Sequence, residues 1–118
     1  MKIFLTGSSG FIGFHLSKKL LDKGHSVHGF DSMNNYYDVK LKKARYQILN
    51  KYKKFSFTKG KLENQKTLSN SILKFKPKII IHLAAQAGVR YSIEKPRVYL
   101  DSNITGTYNV IELAKKAN

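Results

Sequence analysis

Apolar residues fall along this chain in two rhythms. Short apolar or alternating runs read as strands: Ile3-Phe4-Leu5, Ser26-Val-His-Gly-Phe30, Phe55 and Phe57 alternating with Ser56 and Thr58, and Lys78-Ile-Ile-Ile-His-Leu-Ala84. The fourth run is nearly unbroken, which predicts burial on both faces of a parallel sheet. Between the runs the spacing lengthens to that of a helix. Ile12, Leu16 and Leu20 share one face after the first strand. From Val39 to Lys53, Leu41, Ala44, Ile48 and Leu49 form a stripe, with Lys40, Lys42, Lys43 and Arg45 on the wet face. Leu68, Ile72 and Phe75 mark a third helix, stopped by Pro77. Pro96 opens a last one, with Ile104, Thr107, Tyr108 and Ile111 on one face, running to about Ala117. Asp22-Lys23-Gly24 is a turn, and the polar, aromatic stretch from Ser32 to Tyr37 is a loop.

Strands alternating with helices predict βαβ units, a parallel sheet and right-handed crossovers. The expected fold class is therefore α/β, a Rossmann-type sheet in the order 3-2-1-4, with a ligand crevice at the carboxyl ends of strands 1 and 4. A central-looking fourth strand with one helix after it leaves an apolar edge unpaired, an aggregation liability. That predicts a fragment truncated after its fourth strand and helix, or a chain that needs a partner.

Length and composition add bounds. The chain has 118 residues, 42% of them hydrophobic, enough for the core of one domain. It has no cysteine, which excludes a disulfide scaffold and thiolate metal sites. Only three apolar residues follow Lys2, too few for a signal peptide. The most apolar stretch, Ile79 to Val89, is too short to span a bilayer and carries His82. The expectation is a cytoplasmic protein without membrane contact. The formal charge is +15, which suits nucleic acid or an anionic surface. With 19 lysines to 3 arginines, a solvated lysine-rich surface is favoured over specific phosphate or base recognition, which leans on arginine forks.

The chemistry concentrates in Gly7-Ser-Ser-Gly-Phe-Ile-Gly13, between the first strand and the first helix. Gly7 permits a backbone conformation closed to other residues, and Gly10 lets the main chain approach a bulky anion. Gly13 allows helix and strand to pack closely, and the helix N-terminus offers N–H groups to a pyrophosphate. An ordinary strand-to-helix turn would look similar; the strand before it and the helix after it favour the dinucleotide reading. Asp31 closes the second strand 18 residues after Gly13. There a carboxylate accepts hydrogen bonds from the adenosine ribose and repels a 2′-phosphate, favouring NAD over NADP. The alternative is a turn aspartate.

His82 reads as a packed core histidine. His25 and His28 point to opposite faces of one strand, so no metal site is expected. Two Tyr-x-x-x-Lys pairs, Tyr36 with Lys40 and Tyr91 with Lys95, are read as chance matches. The first precedes its helix, and the second sits in a loop before Pro96.

Thr6-Gly-Ser-Ser-Gly-Phe-Ile-Gly13, Asp31-Ser-Met-Asn-Asn35, His82-Leu-Ala-Ala-Gln86 and Asp101-Ser-Asn-Ile-Thr-Gly-Thr107 resemble the N-terminal third of extended short-chain dehydrogenase/reductases. Within that family, Asn34-Asn-Tyr-Tyr-Asp-Val-Lys-Leu41 and Ala87-Gly-Val-Arg-Tyr-Ser-Ile93 are most similar to nucleotide-sugar epimerases of the UDP-glucuronate 4-epimerase kind. The resemblance implies NAD as cofactor and redox epimerisation at C4 of a nucleotide sugar in the full-length enzyme. It also implies roles. Gly7, Gly10, Phe11, Ile12 and Gly13 hold the pyrophosphate. Asp31, Ser32 and Asn35 take the adenosine half, and Leu83, Ala84, Ala85 and Ala87 the nicotinamide side. Ser102 and Asn103 lie near the nicotinamide ribose, and Arg90 meets an anionic part of the sugar nucleotide. Two departures stand out. Lys61 occupies the position where the family has an adenine-reading aspartate. The Ser/Thr and Tyr-x-x-x-Lys that follow the fifth strand in such enzymes have no counterpart here, so no catalytic residue is assigned.

Residues 1–118 are thus expected to be the N-terminal part of an NAD-binding Rossmann domain, without a substrate domain and inactive alone. A homodimer or association with a missing C-terminal half is the expected assembly. A dehydratase, decarboxylase or reductase with the same N-terminal half is the second reading. A basic nucleic-acid-binding module, with Tyr36, Tyr37, Tyr46, Tyr52 and Phe55 interleaved with lysines, is the third.

Overall fold

A computed structural model describes residues 1–34 and 39–117. Four parallel strands, β1 (Lys2–Thr6), β2 (Ser26–Asp31), β3 (Phe55–Lys59) and β4 (Ile79–His82), form one sheet in the order β3-β2-β1-β4. The helices are α1 (Phe11–Asp22), α2 (Val39–Asn50), α3 (Gln65–Phe75), α4 (Val89–Glu94), α5 (Pro96–Tyr99) and α6 (Gly106–Ala117). A π-helical stretch, Leu100–Thr105, joins α5 to α6. The expected α/β class and strand order are those observed.

Two apolar layers flank the sheet. Phe4, Phe30, Leu62, Leu68, Ile72, Val110 and Leu113 pack between the sheet and α3 and α6. Leu5, Phe14, Leu21, Val27, Leu49 and Phe55 pack on the opposite face with α1 and α2. Successive strand residues point to opposite faces, so Phe4 and Leu5 enter different layers. Asn64 caps α3 by accepting the Thr67 N–H at 3.2 Å.

Several expectations need correction. β4 is four residues long and only partly buried, with Ile79 42% exposed. Among the described residues it pairs with β1 alone, so one edge and part of its faces lack cover. On α1 the buried positions are Gly13, Phe14, Ser17 and Leu21; Ile12 points outward. α2 ends at Asn50 and buries Lys42 and Leu49, while Leu41 and Ile48 are exposed. The aromatic ring of Tyr46, 4.8 Å from that of Phe57, fixes this phase one residue from the expected stripe. Val89–Glu94, expected as loop, is α4, which places Tyr91 on a helix.

The last helix presents the opposite face to the one expected. Gly106, Asn109, Val110 and Leu113 are buried, whereas Ile104, Tyr108 and Ile111 are exposed. Apolar residues occupy both faces, and close approach selects between them. A Cβ on Gly106 would stand 2.6 Å from Leu62 Cβ, and buried Asn109 donates to the Leu62 carbonyl at 2.9 Å.

Candidate functional site

The site lies where β1, β2 and β4 end. Gly7 leaves β1 with φ +78° and donates its N–H to the Phe30 carbonyl at 2.7 Å. A Cβ there would meet Ala84 N at 2.9 Å, so the turn presses directly on the segment after β4. A Cβ on Gly13 would fall 1.9 Å from the Gly7 carbonyl oxygen, so α1 can start only because position 13 has no side chain. Gly10 differs from both. Its added Cβ would meet only the Gly7 carbonyl oxygen, at 3.3 Å, and otherwise open space. The first intrahelical bond runs from Phe14 N to Gly10 O, leaving the N–H groups of Phe11, Ile12 and Gly13 without an i−4 carbonyl in α1. No acidic side chain stands in that first turn, and Phe11 and Ile12 are 68% and 66% exposed. An open cradle with free amides and a positive dipole fits a pyrophosphate.

Asp31 is buried at the end of β2. Its Oδ2 accepts the Ser9 N–H at 3.0 Å, and its Oδ1 accepts the Met33 N–H at 2.8 Å. The Lys42 ammonium reaches the same Oδ1 at 3.2 Å. Arg45, one turn along α2, donates to the Ser9 carbonyl at 3.1 Å and lies over the Phe11 ring at 5.9 Å. Sequence reading placed Lys42 and Arg45 on a wet face; Lys42 is 8% exposed and both belong to this corner. A lysine that pairs with a strand-end aspartate 11 residues earlier looks like any surface lysine until the helix is docked. Ser32 follows, half-buried; Asn35 lies outside the described residues.

The segment after β4 is tied down from both sides. The Thr6 hydroxyl oxygen accepts the N–H groups of Leu83 and Ala84 at 3.0 and 3.1 Å and contacts His82 Nδ1 at 2.7 Å. His82 Nε2 contacts the Thr107 hydroxyl at 2.9 Å. Desolvation by burial lowers the pKa of His82, so the ring is neutral at pH 7. It is half-buried and bridges β1 to α6, rather than being enclosed in the core. Asn103 clamps Gln86, two residues on from Ala84: its Oδ1 accepts Gln86 N–H at 2.8 Å and its amide donates to Gln86 O at 3.0 Å. The Asn34 amide reaches Gln86 Oε1 at 3.4 Å, linking the loops after β2 and β4.

Gly7, Gly10, Gly13, Asp31, Leu83, Ala84 and Asn103 therefore converge at one end of the sheet. Ala85 and Ala87 are exposed beside them, and Ser102 is half-buried on the π-helical stretch. Arg90 is exposed on α4. Lys61 is exposed after β3, beside buried Leu62. Tyr91 and Lys95 are one turn apart, with Lys95 N–H on the Tyr91 carbonyl at 2.8 Å, and the Tyr91 ring lies 6.2 Å from that of Tyr99. Tyr36 is outside the described residues. Among the described residues no three His, Asp or Glu side chains cluster to hold a metal, and no helix is long and apolar enough to cross a membrane.

Comparison with known proteins places this arrangement. The family model for GDP-mannose 4,6 dehydratase matches residues 4–118. A probable UDP-glucuronate 4-epimerase of Rhizobium meliloti is 50% identical over 115 residues, which cover 98% of this chain and 34% of that protein. The crystal structure of a Bacillus cereus UDP-glucuronic acid 4-epimerase variant, in complex with UDP-4-deoxy-4-fluoro-glucuronic acid and NAD, superposes with a TM-score of 0.87. It is 33% identical, and the match covers 98% of this chain and 36% of that one. A Thermotoga maritima UDP-glucose 4-epimerase with UDP-glucose superposes with a TM-score of 0.84 at 29% identity, covering 100% and 35%. The chain spans about a third of the length of the curated relatives it matches.

Proposed function

This chain belongs to the GDP-mannose 4,6 dehydratase family, and we propose that it is the N-terminal, NAD-binding portion of a cytoplasmic nucleotide-sugar epimerase of the UDP-glucuronate 4-epimerase kind. The observation that carries the reading is the Gly7–Gly13 cradle, open at Gly10 and flanked by buried Asp31 and the pinned Leu83–Ala84 segment. The first-turn amides of α1 would hold the pyrophosphate, Asp31 the adenosine ribose, and the segment from Leu83 to Ala87 with Asn103 the nicotinamide side. Bound NAD supplies the hydride chemistry at C4 of the sugar. Arg90, exposed on α4, would meet the sugar nucleotide once that ligand is seated. In this reading the Ser/Thr and Tyr-x-x-x-Lys that act as acid and base in such enzymes would come from outside residues 1–118, which span about a third of the relatives' length.

The exposed row Leu100, Ile104, Tyr108 and Ile111 supports association, with a second copy or with the rest of such an enzyme. Calorimetric titration of the 118-residue chain with NAD⁺ tests the cradle: saturable one-to-one binding is expected, and its absence removes the reading. Incubation with UDP-glucuronate and NAD⁺ tests the division of labour. No interconversion is expected, and turnover would place acid–base residues inside this chain.

A further inference from the structure

Asp31 is not a free carboxylate. A carboxylate offers about four lone-pair positions. Met33 N–H and Lys42 Nζ take both positions on Oδ1, and Ser9 N–H takes one on Oδ2. A single acceptor position remains for a ribose hydroxyl, where an unpaired aspartate would receive two. The Lys42 ammonium has three donors and spends one on Asp31. Both side chains are almost fully enclosed, at 11% and 4% exposure, so the pairing is a built feature of the corner. Arg45 adds a second positive charge beside the glycine turn, held by the Ser9 carbonyl and the Phe11 ring. One carboxylate, one ammonium and one guanidinium sum to a net charge of +1.

That sum reverses the argument for cofactor choice drawn from Asp31 alone. A bare aspartate repels a 2′-phosphate. A neutralised one presents a dipole, whose field falls off faster than that of a charge, and Arg45 then leaves the corner attractive to anions. We propose that Lys42 is a specificity-determining residue of the adenosine-ribose subsite: it shares the ribose hydroxyls with Asp31 and, with Arg45, lets the site take a 2′-phosphorylated dinucleotide as well as NAD. The inference rests on the dinucleotide reading of the cradle and goes beyond it in the class of ligand accepted.

The test is calorimetric titration of the intact 118-residue chain with NAD⁺ and NADP⁺, and with 5′-ADP and 2′,5′-ADP, which lack the nicotinamide half. The wild-type chain should bind each 2′-phosphorylated ligand within about tenfold of its unphosphorylated counterpart. Lys42→Met should shift that ratio against the 2′-phosphate by about tenfold or more, and Lys42→Arg, which keeps the charge, should leave it near wild type. Binding of NAD⁺ with rejection of NADP⁺ by more than about tenfold in the wild type overturns the inference and leaves the cradle reading standing. A folded Lys42→Met chain with an unchanged ratio overturns the role of Lys42. Loss of binding to all four ligands in the wild type removes the dinucleotide reading and this inference together. The wild-type ratio decides the matter even if Lys42→Met does not fold.

Discussion

The Thr6 hydroxyl oxygen lies 2.7 Å from His82 Nδ1 while accepting the N–H groups of Leu83 and Ala84. A hydroxyl has two lone pairs and one proton. The two amides fill the lone pairs, so the proton goes to Nδ1. His82 therefore carries its own proton on Nε2 and donates it to the Thr107 hydroxyl at 2.9 Å. One ordered run of protons joins the ends of β1 and β4 to α6 and sets the backbone after β4.

Replacing Thr6 by valine keeps the shape and removes the hydroxyl, stranding the Ala84 amide and one imidazole nitrogen, while Leu83 N–H keeps the Thr6 backbone carbonyl at 3.3 Å. The expected cost is about 1–3 kcal/mol in urea denaturation, with Thr6→Ser close to wild type. Imidazole ¹⁵N shifts should show the Nε2–H tautomer of His82 in the wild type and lose that signature in Thr6→Val.

The glycines of the turn separate binding from stability. Gly13→Ala forces a Cβ to within 1.9 Å of the Gly7 carbonyl oxygen, so it should cost roughly 1–3 kcal/mol or more. Gly10→Ala meets only one atom, at 3.3 Å, and should fold with little loss. It should nonetheless weaken NAD⁺ binding, because the new methyl stands where the pyrophosphate would approach. Thermal melts and calorimetry on the two variants distinguish the roles; equal melting temperatures would contradict the packing assigned to Gly13.

Acid should destabilise the fold through His28. Burial, and secondarily the charge of Lys74, lowers its pKa from 6.5 to about 4. The ring stacks on Phe4 at 5.3 Å and bonds Ser56 and Thr58. The folded pKa is depressed, so between these two values the unfolded chain binds more protons. Stability present above pH 6.5 is therefore lost as pH falls towards about 4, and His82 acts in the same direction. Melting temperature should fall as pH is lowered from 6.5 towards 4, and His28→Gln should flatten that dependence.

The face presented by α6 and the π-helical stretch before it is open to direct test. Leu113 is buried against the sheet and Ile104 is exposed. Leu113→Ala should cost about 2–5 kcal/mol, whereas Ile104→Glu should change stability by no more than about 0.5 kcal/mol. Sedimentation velocity should show the Ile104→Glu chain less associated than wild type. The reverse order of stabilities would restore the face read from sequence spacing.

Much of the site is local in sequence and could be read there. Glycine spacing, the strand before it, the helix after it and a strand-end carboxylate are all matters of backbone conformation within a few residues. The parallel order of the sheet follows from alternation and crossover handedness. Lys42 was legible only as a surface lysine, because what buries it is the docking of α2 against the end of β2. Ile104, Thr107, Tyr108 and Ile111 formed as good a stripe as the one the sheet selected, since periodicity ranks faces by hydrophobicity and has no term for close approach.

The sequence by itself determined the fold class, the strand order and the place of the glycine cradle, because short-range conformational preference and chain connectivity decide those. Tertiary structure alone decided which face of each helix is buried, where the protons of Thr6 and His82 reside, and that Asp31 meets the ligand corner already paired with Lys42. Those depend on atoms brought together from 11 to 78 positions apart, and the free energy of such contacts is set by distance and burial in space.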